Sequence, residues 1–186
     1  MSYQDIDEQS LAGLCSKADT KVGDELYRRY AARLMTLCRR YSSNSDDAKD
    51  LMQETLVKAL DKISSFQYRG EGSLYAWISR IAINRAVNDI RRYRWRFIPL
   101  GTRFEDMTPE PTEQDMSCIP REKLLDLISS LPAERRAVFN LYCIEGYSHK
   151  EISKMLGISE KGSAGVLAKA RKQLKEKINE EVGRHN

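Results

Sequence analysis

The chain has little from which to build a metal centre or a covalent catalyst. Its two histidines, His149 and His185, stand far apart, and Cys15, Cys38, Cys118 and Cys143 form no CxxC pair and no cysteine–histidine cluster of zinc spacing. The thiols read as reduced and mostly structural. No run approaches the roughly 18 to 20 apolar residues that a membrane span requires. The opening MSYQDIDEQS is acidic and polar, unlike a signal or transit peptide. A cytoplasmic protein with no cofactor and no bound metal is expected. Runs of alternating β-branched residues between turn signals are missing as well, which argues against sheets. Proline is scarce, and four of its five occurrences crowd into residues 99–120.

What the chain does have is helical periodicity and unevenly placed charge. The net charge of +4 hides a division along the sequence. Residues 1–65 carry 10 basic and 11 acidic side chains, 66–98 carry 7 and 2, 99–120 carry 1 and 5, and 121–186 carry 13 and 9. Two basic blocks separated by an acidic one suggest two modules that bind polyanions, joined by a segment that does not.

The predicted architecture is all-α: two small helical domains, residues 1–98 and 121–186, joined by an acidic, proline-containing linker over 99–120. A weak helix is predicted over 7–18. A stronger one runs from Asp24 to Tyr41, with an inward stripe of Tyr27, Tyr30, Leu34, Leu37, Cys38 and Tyr41. The next is capped by Ser45 and extends to about Ile63. Its apolar face is Leu51, Met52, Leu56, Ala59, Leu60 and Ile63, opposite a polar stripe of Asp47, Asp50, Glu54, Lys58 and Asp61. After the loop FQYRGEG, Ser73 caps a long helix to about Trp95. One side of it (Leu74, Trp77, Ile78, Ile81, Val87, Ile90) faces inward, and Arg80, Asn84, Asn88, Arg91 and Trp95 align along another. Helices near 121–130, 133–144, 148–156 and 159–181 complete the chain.

The segment from Ser148 to Arg171 reads as a helix-turn-helix. Ser148 and Glu151 form a capping box, Gly157 supplies the left-handed stop, and Ser159 caps the second helix. Packing of Leu156 and Ile158 against Leu167 and Ala170 would set the two helices at a steep angle, so that the second can enter a DNA major groove. A helical hairpin with accidental caps is the plain alternative. Lys161, Lys169, Arg171, Lys172 and Lys175 favour DNA, being placed for phosphate contact, with a solvated basic face the plain alternative for Lys172 and Lys175.

The stretch LPAERRAVFNLYCIEGYSHKEISKMLGIS resembles the promoter −35 binding domain of bacterial sigma factors. DAKDLMQETLVKAL at 47–60 and RGEGSLYAWISRIAINRAVNDIRR at 69–92 resemble the domain that binds core polymerase and reads the −10 element. The two in this order, with no domain between them, are similar to the extracytoplasmic-function class. The resemblance implies a factor that directs core RNA polymerase to −10 and −35 promoter elements and helps open the DNA, with no catalysis of its own and no catalytic residue. Its implied partners are core polymerase, through the β′ and β subunits, promoter DNA, and an anti-sigma factor that in this class is commonly membrane-bound.

By the same resemblance, Asp47, Asp50, Leu51, Gln53 and Glu54 dock on a basic coiled coil of β′; from spacing alone that face could equally be solvated surface. Tyr68, Arg69, Ser73, Arg80, Asn84, Asn88, Arg91 and Arg92 are the −10 candidates. Asn84 and the 68–73 loop would capture bases, with the arginines on the backbone. Phe66 and Tyr68 could instead pack the loop, and Trp77 reads as core. The −35 candidates are Ser148, Ser159, Glu160, Lys161, Ser163, Lys169 and Arg171. Here the sequence departs from the family, with Ala164, Val166 and Ala168 at positions that are commonly basic. The acidic residues Glu105, Asp106, Glu110, Glu113 and Asp115 are either a solubilising spacer or an occupant of the polymerase RNA channel. A stand-alone helix-turn-helix regulator is the competing reading, and an enzyme a more distant one.

Overall fold

A computed structural model describes residues 6–15, 20–97 and 120–183. The acidic linker, and with it the expectation for Glu105 to Asp115, lies outside the described residues. So does the predicted end of the first helix beyond Cys15. The helices are α1 Glu8–Cys15, α2 Thr20–Tyr41, α3 Ser45–Lys62, α4 Ser73–Phe97, α5 Arg121–Ser129, α6 Ala133–Phe139, α7 His149–Leu156 and α8 Glu160–Gly183. A 3-10 turn, Ile63–Ser65, follows α3, and a π turn, Asn140–Ile144, continues α6. No strand occurs among the described residues. Backbone contacts divide the chain into two compact units: residues up to Cys38 with Ser45–Ala86, and Arg39–Asn44 with the residues from Val87 onward.

In the first unit the cores of α2, α3 and α4 are stripes at steps of three and four. α2 buries Val22, Leu26, Tyr30, Leu34, Leu37 and Cys38; α3 buries Ala48, Leu51, Met52, Leu56 and Ala59; α4 buries Leu74, Ile78, Ala82, Ile83 and Ala86. α2 starts a turn earlier than predicted, because Val22 is drawn wholly into the core despite the adjacent Gly23. A Cβ added at that glycine would lie 3.4 Å from Leu60 Cδ1, an ordinary van der Waals contact with the end of a flexible side chain. Two expected core residues lie outside. Tyr27 is 54% exposed, its place in the stripe taken by Leu26, one turn before Tyr30. Leu60 is 36% exposed, and Thr55 is buried instead, its hydroxyl donating to the Leu51 carbonyl at 2.6 Å. That local bond removes the cost of an unpaired buried hydroxyl. Burial likewise pushes the Cys38 thiol up to about 12, which makes it an inert core group rather than a nucleophile.

In the second unit α6 and α7 pack on α8, and α5 also meets it, with Lys123 of α5 pairing with Glu181 near the end of α8 at 2.9 Å. Pro120 and Pro132 stand immediately before α5 and α6, where a missing N–H removes no helical bond. The buried Arg136 turns back to donate from Nη1 to the Ser129 and Leu131 carbonyls at 2.6 and 3.2 Å, closing the end of α5. Ile152, Leu156, Ile158, Val166, Leu167, Ala170 and Leu174 form the core between α7 and α8, which includes the four residues expected to set the interhelical angle.

Candidate DNA and polymerase interfaces

Both helices of the 148–171 segment carry the caps their sequence encodes. The Ser148 hydroxyl accepts from the Glu151 amide at 3.3 Å, and the Glu151 carboxylate accepts from the Ser148 amide at 2.8 Å. The Ser148 hydroxyl also donates to the Glu151 carboxylate at 2.7 Å, and this bond, followed by the one from the Ser148 amide, holds the Glu151 carboxyl below its ordinary range. Gly157 adopts φ 68°, ψ 39°, a left-handed stop in which a side chain is strained. The Ser159 hydroxyl accepts from the Gly162 amide at 2.9 Å. Ser148 and Ser159 are exposed, yet both hydroxyls already serve the fold.

The first turns of α8 present Glu160, Lys161 and Ala164 outward. Ser163 is fully buried, its hydroxyl 2.9 Å from His149 Nδ1 on α7, so this expected DNA contact is a link between the two helices. Val166 is also buried, so its failure to match a basic family position does not alter the exposed face. Lys169 and Arg171 are half-exposed, and Lys172 and Lys175 are exposed. The Arg171 guanidinium lies 5.9 Å from the Tyr142 ring centre, and the His149 ring stacks on the same tyrosine at 4.4 Å. Burial, then the positive charge of Arg171, hold His149 below its ordinary value against an opposite pull from Glu160.

On α3, Asp47, Asp50, Gln53 and Glu54 are exposed along one side, as the spacing predicts, whereas Leu51 is 9% exposed and belongs mainly to the core. Glu54 pairs with Arg85 of α4 at 2.9 Å. Val57, 59% exposed, continues the same side one turn on, with Leu60 beyond it. The sequence reading assigned Val57 no role, although its step of four from Gln53 was visible.

α4 exposes Arg80, Asn84, Asn88, Arg91 and Arg92. The first four, at steps of four, four and three, make one polar and basic stripe; the Trp95 side chain lies outside the described residues. The loop before the helix turns through Gly70 and Gly72, both at positive φ. Phe66 packs on Trp77 with ring centres 5.6 Å apart, so it belongs to the loop's inner side, whereas Tyr68 is 41% exposed and Arg69 is exposed.

Ser73 does not cap α4. It is the first helical residue, and its hydroxyl accepts from the Arg69 amide at 3.2 Å. The cap is the Glu8 carboxylate of α1, which accepts from the amides of Gly72 at 2.7 Å, Leu74 at 2.7 Å and Tyr75 at 3.3 Å. The bonds span 64 to 67 residues of sequence, and no local pattern announces them.

Two basic, helix-borne surfaces, one a helix-turn-helix and the other a polar stripe beside an exposed aromatic loop, define a DNA-binding helical protein. Similarity to known proteins carries this further. The model of sigma-70 region 2 matches residues 26–96, and that of sigma-70 region 4 matches residues 121–174. The ECF RNA polymerase sigma-E factor of Haemophilus influenzae is 28% identical, over 94% of this chain and 97% of its own length. The ECF RNA polymerase sigma factor SigM of Mycobacterium tuberculosis (strain H37Rv) is 31% identical, over 81% and 74%. The RNA polymerase sigma factor YlaC of Bacillus subtilis is 30% identical, over 83% and 91%. A solved structure, of the sigma factor RpoE with the anti-sigma factor NepR from Bartonella quintana, shares 24% identity over 84% of this chain and 95% of that one, with a TM-score of 0.49. The chain belongs to the extracytoplasmic-function class of the sigma-70 family of RNA polymerase sigma factors. As a sigma factor it binds core RNA polymerase and directs it to promoter DNA.

Proposed function

We propose a division of that work between the two parts of the chain, 1–98 and 121–186, with 99–120 as the linker. The first docks on polymerase through Asp47, Asp50, Gln53 and Glu54 of α3, with the exposed Val57 supplying apolar contact at the same side. It holds the displaced −10 strand on α4. Arg80 and Arg91 are suited to phosphates, Asn84 and Asn88 to base edges, and Tyr68 to stacking against an unpaired base. The second part places the start of α8 in the −35 major groove, where Lys161 reaches the DNA beside small residues that let the helix backbone approach closely. The observation that carries the reading is the single exposed stripe of α4 from Arg80 to Arg91, which no core packing requires.

Opening is driven by binding alone: capture of unpaired bases offsets an unstacking cost of about a few kcal/mol per base, and the chain acts as an initiation factor rather than an enzyme. No helix among the described residues is long and apolar enough to cross a membrane, and we infer a cytoplasmic site of action. Membership of the class supports an anti-sigma partner as well.

The test compares the chain with its Arg80→Ala/Asn84→Ala variant in transcription by sigma-free core polymerase, on promoter duplex and on the same promoter pre-opened at −10. The reading expects core binding to be kept and transcripts to be lost, with partial recovery on the open template. Full transcription from the duplex by the variant would refute it.

A further inference from the structure

Glu8 is out of place as a surface carboxylate. It sits at the start of α1, whose Leu11 is wholly buried, and reaches across to the first turn of α4. There its Oε1 accepts from the Leu74 and Tyr75 amides and its Oε2 from the Gly72 amide. The Tyr30 hydroxyl of α2 donates to Oε1 at 3.3 Å. Tyr30 in turn packs on Tyr75, ring centres 5.9 Å apart, with the Arg33 guanidinium 3.9 Å above the Tyr75 ring. Burial, and then the negative charge of Glu8, push the Tyr30 hydroxyl up to about 12, so it stays a donor to that carboxylate. A full negative charge on unpaired amides at the positive end of a helix is among the stronger capping arrangements, because charge-assisted bonds and the helix dipole act together.

The position of this cap matters more than its strength. The 66–72 loop is bounded on one side by the 3-10 turn Ile63–Ser65 and on the other by the first turn of α4. α1 packs against the first and Glu8 binds the second. One short helix therefore grips both stems of the loop that presents Tyr68 and Arg69 to solvent. Inside the loop the bonds are few: the Phe66 amide to the Ile63 carbonyl, the Ser73 amide to the Gly70 carbonyl, and the Arg69 amide to the Ser73 hydroxyl. With two residues at positive φ and so little internal bonding, the loop takes its shape from its stems.

We propose that Glu8 is a positioning residue for promoter reading: by capping α4 from α1, it fixes the 68–73 loop in the shape that accepts an unpaired −10 base. The proposal rests on the assignment of that loop to the −10 strand. Glu8 itself touches no DNA. Its loss leaves the exposed DNA-facing side chains in place but loosens the frame that aims them, so discrimination between bases suffers more than overall affinity.

The experiment uses the full chain with core polymerase and a template library randomised across the −35 and −10 segments, the transcripts being sequenced. Glu8→Gln keeps the size of the side chain but turns an amide donor toward the helix amides. The expected result is a flattening of −10 base preference by about fivefold to tenfold. The −35 preference and core-polymerase binding should be unchanged, and the amides of Gly72 and Leu74 should exchange hydrogen faster. Glu8→Asp, which keeps the charge with a shorter reach, should give an intermediate flattening, and it decides the matter if the glutamine variant folds poorly. A uniform fall in transcription with −10 preference intact would overturn the proposal, since that is what simple destabilisation of the domain produces. Tyr68→Ala, run beside these, separates the two levels. If it flattens the −10 preference while Glu8→Gln does not, the loop assignment stands and the role of Glu8 is refuted. If neither changes the preference, the loop assignment has failed and takes the proposal with it.

Discussion

The helix-turn-helix and the α4 surface are the two helical surfaces proposed to meet DNA, but they are held together over different distances in sequence. In the first, the capping bonds span three to five residues: Ser148 with Glu151, Ser159 with Gly162, and the Gly157 and Ile158 amides with the Ser153 carbonyl. In the second, the first turn of α4 is held by a carboxylate 64 or more residues away. A locally capped element forms its shape wherever its sequence goes. A remotely capped one acquires its shape only when the domain around it is folded, which makes its geometry open to influence from distant residues.

The largest effect should separate the surfaces by function. Arg80→Ala/Asn84→Ala should lower promoter opening by roughly 30-fold or more, since each of the two nucleic-acid contacts contributes about 1–3 kcal/mol. Permanganate reactivity of −10 thymines measures it, and polymerase binding should be unaffected. Removal of Lys161 and Lys169 should act more mildly, weakening promoter binding at all sequences and reducing its salt dependence by about one to two counterions. If the lysine pair instead abolished opening while the α4 pair did not, the division of roles would be reversed.

Smaller effects test the claim of local capping. Ser148→Ala should cost the helix-turn-helix about 1 kcal/mol. Gly157→Ala, forced into a left-handed conformation, should cost about 1–2 kcal/mol. Denaturant unfolding would measure both, with transcription from a template pre-opened at −10 unaltered. The smallest effect is on pH dependence. His149 is held below its ordinary value near 6.5 in the folded chain, so the unfolded chain takes up this proton first. Its contribution is therefore complete above about pH 6.5 and declines as pH falls below it. A scan from pH 7.5 to 5.5 should show the melting temperature falling by about 1–2 °C more in the parent chain than in His149→Gln. An identical fall in both would show that the Ser163–His149 link is not sensitive to protonation.

This contrast also explains what could be read from the sequence. Helix periodicity located α2, α3, α4 and the later helices, and the Ser148, Gly157 and Ser159 caps were legible because each is a short-range pattern. Tyr27 and Leu60 were misplaced because a helical stripe has a width, and only packing against neighbours selects Leu26 over Tyr27 for the interior. Ser163 read as a DNA contact because its partner, His149, is 14 residues away on another helix. Ser73 read as a cap because serine before an apolar run is usually one; Glu8 holds that position instead, from a segment with only weak periodicity of its own.

The most direct test of the two-surface account is site-specific photo-cross-linking in the open promoter complex. A photoreactive residue is placed at Tyr68 in one sample and at Lys161 in another. The account predicts that the probe at position 68 labels the non-template strand within the opened −10 segment, only after melting, and that the probe at position 161 labels the −35 duplex before and after melting. Labelling of one and the same element by both probes, or labelling from position 68 that is indifferent to strand opening, would contradict it.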